Sequence, residues 1–229
     1  MEKILVTGFE PFGGEQTNPS WEVVNALPRV IAGHTVVRER IPVSFRRGPA
    51  AALEAIQRED PSIVLCVGQA GGRAKVTPEF VGINYADARI PDNDGEQPQA
   101  TRLLAGAPDA RFSTLPVRAM AQAMVDAGVP AAVSYSAGTY VCNAVLFSVL
   151  DALAASQSTA RAGFVHVPNS PEQACHLAKA TPSMPVALML QGIVSGLECA
   201  CSGGWARRVA LVPALPGRPS VREPERGTT

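Results

Sequence analysis

Residues 4–7 read ILVT, residues 63–67 read IVLCV and residues 163–167 read GFVHV, and these three apolar runs decide the fold. Each run has the length of a β-strand, and glycine or proline follows within a few residues. Helical patterns lie between the extended runs, at residues 21–27, 50–56, 117–127 and 141–155. Strands that alternate with helices are typical of parallel sheets. The sequence therefore predicts an α/β fold with an open, twisted, mixed but largely parallel sheet and helices on both faces.

Other patterns add further elements to this prediction. Residues 35–43 and 131–135 are expected to be extended, and residues 185–197 to form a last apolar helix. Another helix is predicted to begin after Ser170, which can cap it. Pro171 suits its first position and Gln173 completes a capping box.

A chain of 229 residues suits one α/β domain. Residues 1–201 are predicted to form that domain. Glycine and proline interrupt the remainder, so residues 202–229 are expected to be a weakly ordered tail. The polar, turn-rich stretch at residues 91–98 is expected to be a surface loop.

The charge balance argues against nucleic acid and membrane surfaces as partners. Lys plus Arg and Asp plus Glu both number 20, and the isoelectric point is near 6.8. The first residues contain no long apolar segment for export or anchoring, which predicts a cytoplasmic protein. Five cysteines are an odd number for a disulfide framework, so each is treated as a free thiol.

Ligands of open α/β sheets bind at the carboxyl ends of the strands. Four segments occupy such places: GFEPFGG at 8–14, GQAGGR at 68–73, SAGTYVC at 136–142 and HVPN at 166–169. GQAGGR lacks the Gly-Lys-Ser/Thr ending of a P-loop, so its glycines are interpreted as allowing close approach of the backbone to a small ligand.

Cys142 is the candidate nucleophile of these segments. It lies where a Ser-Ala-Gly turn leads into the helix predicted at residues 141–155, with Thr139 as a possible cap. A thiol in the first helical turn faces unpaired N–H groups, which favour a thiolate and could hold an oxyanion. The alternative is a small buried thiol without a chemical role.

Three histidines are available as a base. His34 follows a glycine in a loop, and His176 is predicted to lie inside the helix that begins after Ser170. His166 stands at the end of an apolar strand, before Pro168, where its ring would reach the crevice that Cys142 borders. A core histidine bonded to the backbone is the alternative.

Glu79 is the candidate for a third group that fixes the histidine tautomer. It follows GQAGGR within a strand-like run at residues 75–84, and Pro78 beside it indicates an edge or bulged strand. A surface carboxylate is the alternative. A metal site made of Cys175, His176, Cys199 and Cys201 is disfavoured by the ligand spacing.

Together these residues resemble the pyroglutamyl peptidase I family, also called pyrrolidone carboxyl peptidases. The similar segments are collinear over about the first 190 residues. They are LVTGFEPFGG at 5–14, GQAGGR with Glu79, IPDNDGEQP at 90–98, SYSAGTYVCN at 134–143 and FVHVP at 164–168. The chain differs from the family pattern at Pro78, at Phe80, where a basic residue is expected, and in the arginine- and proline-rich stretch after Cys199.

The resemblance implies that residues 1–201 are a cysteine peptidase domain that releases an N-terminal pyroglutamyl residue through an acyl-enzyme. Cys142 would be the nucleophile, His166 the base and Glu79 the group that orients the histidine. The resemblance further implies a cytoplasmic homotetramer that acts on peptides with N-terminal pyroglutamate and uses neither a metal nor a cofactor.

The same resemblance implies a pocket for the lactam ring. Phe9 and Phe12 would sandwich the ring, Tyr140 and Val141 would line the pocket, and Gln69 would supply a polar contact. Two other function classes compete with this interpretation. One is a nucleoside phosphorylase or nucleosidase, which needs no thiol, and the other is a binding protein that keeps the pocket without turnover.

Overall fold

The computed structural model describes residues 2–177 and 179–202. The strands are β1 Lys3–Phe9, β2 Val30–Ile31, β3 His34–Ile41, β4 Ile63–Gln69, β5 Thr77–Glu79, β6 Val81–Ile83, β7 Ala110–Phe112 and β8 Arg161–Val167. The helices are α1 Pro19–Asn25, α2 Arg47–Glu59, α3 Val117–Asp126, α4 Val141–Ala155, α5 Pro171–Ala174 and α6 Val186–Cys201.

The main sheet confirms the predicted mixed, largely parallel arrangement. Its order is β2-β3-β1-β4-β8-β5, and the neighbours from β3 through β8 are parallel. The strands at its two ends, β2 and β5, pair in the antiparallel sense. Strands β1, β4 and β8 lie inside the sheet and are buried on both faces, which explains their continuous apolar sequences.

Helices cover both faces of the sheet, as predicted. Successive side chains of a strand point to opposite faces, so Ile4 and Val6 of β1 join one apolar cluster and Leu5 joins the other. The first cluster includes residues of α1, α3 and α6, and the second includes residues of α2 and α4. None of the helices in the described part is long and apolar enough to cross a bilayer.

The strand-like run at residues 75–84 is divided. It forms β5 in the main sheet and β6 in a separate two-stranded sheet with β7. Pro78 lies in β5, which ends the main sheet and matches the prediction of an edge strand. Residues 131–135 do not form a strand; only isolated bridges link Ala131 to Val76 and Ser134 to Glu79. Pro78 has no N–H to donate to a continuous ladder at that point.

Helix α5 begins as predicted and ends early. Ser170 and Gln173 form the capping box, and Pro171 opens the helix. The prediction that His176 lies within this helix is wrong, because α5 ends at Ala174. The tail predicted at residues 202–229 lies, after Ser202, outside the described residues.

Candidate active site

Cys142 is the second residue of α4, as the sequence predicted. The first helical hydrogen bond runs from Ala144 N to Tyr140 O, and no side chain of the described residues caps this end. The predicted cap is wrong, because Thr139 Oγ1 donates to Asp87 O at 2.7 Å. The N–H groups of residues 141–143 therefore have no helical acceptor.

Asn143 anchors the first turn of α4. Its Oδ1 accepts from Ile83 N at 2.9 Å, and its Nδ2 donates to Ile83 O at 2.9 Å. Nδ2 also donates to Tyr85 O at 3.0 Å. These bonds attach the start of α4 to β6. They thereby fix the position of the neighbouring Cys142 thiol relative to the main sheet. The sequence carries no local signal of this role of Asn143.

Gly68 leaves room for the Cys142 thiol. In the parallel pairing of β4 with β8, Gly68 lies opposite His166. A Cβ atom at position 68 would lie 2.9 Å from Cys142 Sγ, so the thiol occupies the space that a side chain would need. The Cys142 thiol thus lies beside the strand pair that carries the histidine.

The third predicted residue, Glu79, contacts the histidine directly. His166 Nδ1 donates to Glu79 Oε1 at 2.7 Å, and the exposed fractions of these residues are 3% and 0%. With Nδ1 engaged, Nε2 is the ring nitrogen left for the thiol. The hydrogen bonds among residues 2–177 and 179–202 include none between Cys142 and His166. Such contacts tighten when substrate binds in many enzymes.

Arg73 also holds the carboxylate, which the sequence analysis did not foresee. Its Nη1 donates to Glu79 Oε1 at 2.6 Å and its Nη2 donates to Ser136 O at 3.0 Å. The arginine therefore links the GQAGGR segment to the loop before α4. Its position in that segment was a possible signal, since arginine there faces the same sheet edge as the predicted site.

Burial and charge set the protonation states of the site. Burial opposes ionisation of Glu79, but the hydrogen bond and charge of His166, together with Arg73, lower its pKa. Burial lowers the pKa of His166 against the opposing effect of Glu79. Burial and the charge of Glu79 raise the pKa of Cys142 to about 12. At neutral pH these directions favour a neutral thiol and a neutral imidazole in the free protein.

All five residues predicted for the pocket line one cavity with Cys142. They are Phe9, Phe12, Gln69, Tyr140 and Val141, and Asn18 and Val43 complete the lining. The rings of Phe12 and Tyr140 lie 6.4 Å apart. Tyr140 OH donates to Pro91 O at 2.9 Å, so the surface loop at residues 91–98 braces this wall.

A roomier groove of about 350 Å³ lies between α2 and α4. Phe45, Leu53, Leu104 and Ser148 are among its lining residues. None of the predicted site residues reaches it, and its lining includes neither a cysteine nor a histidine. The smaller pocket, which contains the Cys142 thiol, is therefore the better candidate for an active site.

The described part of the chain contains no group of three or more His, Cys, Asp or Glu side chains placed to hold a metal ion. All five cysteines are free, and Cys175 is exposed. Phe80, which replaces the basic residue expected from the resemblance, packs against Phe112 and Tyr135 at ring distances of 5.1 and 5.6 Å.

The sequence of this chain matches a known protein family. The family model described as pyroglutamyl peptidase matches residues 2–202. The chain belongs to the pyroglutamyl peptidase family. Among family members, the pyrrolidone-carboxylate peptidase of Thermococcus kodakarensis is 48% identical over 86% of this chain and 93% of its own length. That of Bacillus velezensis is 43% identical over 84% of this chain and 89% of its own.

Solved structures of family members share the fold. The crystal structure of Bacillus amyloliquefaciens pyroglutamyl peptidase I superposes with a TM-score of 0.84 at 40% identity, covering 87% of this chain and 97% of the other. The pyrrolidone carboxyl peptidase from Thermococcus litoralis gives a TM-score of 0.83 at 39% identity, covering 87% and 93%. The resemblance inferred from the sequence and the α/β fold are both confirmed.

Proposed function

We propose that this member of the pyroglutamyl peptidase family hydrolyses the amide bond after an N-terminal pyroglutamyl residue, with Cys142 as nucleophile. Residues 1–201 form the proposed catalytic domain. The observation that carries the proposal is the buried hydrogen bond between Glu79 and His166, beside a pocket that Cys142 lines together with Phe9 and Phe12. No metal or cofactor takes part in the proposed reaction.

The first half of the reaction forms an acyl-enzyme. Cys142 Sγ attacks the carbonyl carbon of the pyroglutamyl residue while its proton passes to His166 Nε2. The carbonyl oxygen becomes an oxyanion, which the free N–H groups at the start of α4 can stabilise. The carbon–nitrogen bond then breaks, and the leaving amine takes the proton from His166. A thioester to Cys142 remains.

The second half regenerates the thiol. His166 takes a proton from water, and the resulting hydroxide attacks the thioester carbonyl. The carbon–sulfur bond breaks, free pyroglutamate leaves and the proton returns to Sγ. Glu79 stays ionised throughout, holds Nδ1–H in place and stabilises the imidazolium that forms twice in each cycle.

The pocket suits a small neutral lactam. The five-membered ring offers two apolar faces, which the side chains of Phe9, Phe12 and Val141 can cover. Its amide edge requires one or two hydrogen-bonding groups, and Gln69 lies at that pocket. The pocket-lining residues carry no carboxylate to pair with the ammonium group of an ordinary N-terminus.

Release of a fluorescent amine from a pyroglutamyl amide tests the proposal, with the prolyl and glutamyl amides as comparison substrates. We expect selective cleavage of the pyroglutamyl amide and its loss on treatment with iodoacetamide. Because the chain has five cysteines, Cys142→Ala is compared with Cys175→Ala, which removes an exposed thiol. The first substitution should abolish turnover and the second should preserve it.

Full activity of a folded Cys142→Ala variant would refute the mechanism. Binding of pyroglutamyl compounds without cleavage would instead support the binding-protein alternative. The nucleoside phosphorylase alternative predicts activity that survives alkylation, and membership of a peptidase family gives it no support.

We further propose that the protein is cytoplasmic and tetrameric. The odd number of cysteines, all free in the structure, supports a reducing compartment, and the resemblance to the family supports the assembly. Light scattering on the purified protein measures the mass directly, and the expected value is four times the chain mass of 24.0 kDa. A monomer mass would exclude the tetramer.

A further inference from the structure

The amide of Gln69 has one satisfied end and one free end. Its Oε1 atom is buried and has no hydrogen-bond partner within the described residues. Gln69 lines the pocket that contains Cys142. A buried acceptor without a donor is costly unless a ligand supplies one. The free oxygen therefore indicates a donor group on the ligand that fills the pocket.

The nitrogen end is bonded to two residues outside the pocket lining. Gln69 Nε2 donates to Asn169 Oδ1 at 2.7 Å and to Gln173 Oε1 at 2.9 Å. Both acceptors belong to buried residues, each with 5% of its surface exposed, and neither residue lines the pocket. Since a primary amide has two N–H groups, both donors of Gln69 are used.

Backbone groups decide which end of each amide is the oxygen, starting at Gln173. The backbone N–H of Ser170 donates to Gln173 Oε1 at 3.3 Å, and Gln173 Nε2 donates to Thr17 O at 3.3 Å. A backbone N–H can only donate and a carbonyl can only accept, so Gln173 has one allowed orientation. The atom of Gln69 that faces Gln173 Oε1 must then be the nitrogen.

We propose that Gln173, together with Asn169, is a positioning residue that fixes Gln69 Oε1 as the acceptor for the lactam N–H of the substrate. This inference rests on the proposed function. The capping box of α5 thereby has a second role. It orders the start of α5. In addition, the backbone N–H of Ser170 fixes the orientation of the Gln173 amide, which in turn fixes the orientation of the Gln69 amide at the pocket.

The arrangement favours a substrate ring that donates a hydrogen bond to Gln69 Oε1. A pyroglutamyl ring presents N–H to Gln69 Oε1, whereas a ring with CH₂ in that position leaves the buried acceptor unpaired. Sites built to bond a substrate N–H or O–H reject analogues that lack it. If Gln69 could turn freely, its NH₂ group could face the ring instead of Oε1. The CH₂ ring would then bind at no greater cost than the lactam ring, because neither ring offers an acceptor at that position.

The experiment compares two substrates with the same fluorescent leaving amine. One is the pyroglutamyl amide and the other is the 3-oxocyclopentanecarboxylic amide, in which CH₂ replaces the ring N–H. For the unmodified protein we expect kcat/KM to favour the lactam by about 10²-fold. In Gln173→Met, which removes the acceptor that orients Gln69, we expect this ratio to fall at least about tenfold, mainly through slower turnover of the lactam.

Glu172→Gln is the matched control, because it changes an exposed residue of the same helix and leaves the amides intact. It should keep the ratio of the unmodified protein. A ratio that stays constant in folded Gln173→Met would overturn the positioning role. If that variant does not fold, Asn169→Ala removes the other acceptor and is judged by the same ratio.

The two proposals fail in different ways. Cleavage of neither substrate by the unmodified protein contradicts the proposed function. Cleavage of both at similar rates leaves the peptidase activity in place and refutes the inference about Gln69, with no need for a variant.

Discussion

Replacing Gly68 with alanine should damage the site more than it damages the fold. The added Cβ would lie 2.6 Å from Phe164 Cζ and 2.9 Å from Cys142 Sγ, both closer than non-bonded atoms normally approach. Overpacking of this kind costs about 1–3 kcal/mol of unfolding free energy. Relief requires both the Phe164 ring and the thiol to move. A displacement of the thiol approaching ~1 Å can lower the rate by about 10². We therefore expect kcat/KM to fall by roughly that factor.

Gly163→Ala is the matched control for Gly68→Ala. Gly163 lies in β8, the neighbouring strand, and its added Cβ would lie 2.6 Å from Ser113 Oγ and 3.0 Å from Leu115 Cδ1. The steric conflict is similar, but it does not touch the thiol. Urea unfolding should show comparable destabilisation of the two variants, and kcat/KM should fall sharply only in Gly68→Ala. Equal activity of the two variants would refute the reasoning.

Three further predictions concern the charged groups of the site. Glu79→Gln removes the carboxylate that holds His166 Nδ1–H, so we expect kcat to fall by about 10²–10⁴ with measurable residual activity; an unchanged kcat would exclude the orienting role. Arg73→Met removes a charge that lowers the pKa of His166. The pKa of His166 should therefore rise, and the acid limb of the pH profile of kcat/KM should move to higher pH. An acid limb that stays in place or moves to lower pH would contradict this effect. Because the pKa of Cys142 is raised to about 12, its alkylation by iodoacetamide, followed by mass spectrometry of the peptide that contains it, should accelerate continuously above neutral pH. A rate that is already maximal and constant between about pH 5 and 8 would instead indicate a preformed thiolate–imidazolium pair.

The sequence predicted those parts of the fold in which a local pattern and tertiary burial agree. The run at residues 63–67 became β4, and the helix predicted at residues 141–155 has the same bounds as α4. Both are predominantly apolar because most of their residues are buried in the α/β layers. The capping box at Ser170 was equally visible, since all its members are adjacent in sequence.

The prediction failed where partners distant in sequence determine the structure. The run at residues 75–84 looked continuous, yet it divides at Phe80 because β5 pairs with β8 while β6 pairs with β7. The position of Arg73 in GQAGGR indicated the right edge of the sheet but not the bond to Glu79, since that contact depends on how two loops meet above the sheet. His176 lies beyond α5 because that helix lasts a single turn.

The side chains of the candidate site differed in how far the sequence alone could predict their positions. The thiol and the imidazole could be placed from strand and helix ends, and their roles remain proposals. Position after GQAGGR made Glu79 a candidate, and the resemblance to the family was needed for the pocket residues. The amide network behind Gln69 was not foreseen, because hydrogen bonds among buried amides leave no periodic signature in a sequence.

The position of β8 between β4 and β5 has a consequence for the protein during its synthesis. Glu79 lies on a strand made early, while His166 lies on the last strand of the sheet to be made, which is inserted between two older ones. Under the proposed mechanism, a chain still emerging from the ribosome therefore lacks the base that its thiol requires, whatever the state of its first half. The order of synthesis by itself would then withhold the proposed activity until β8 has joined the sheet.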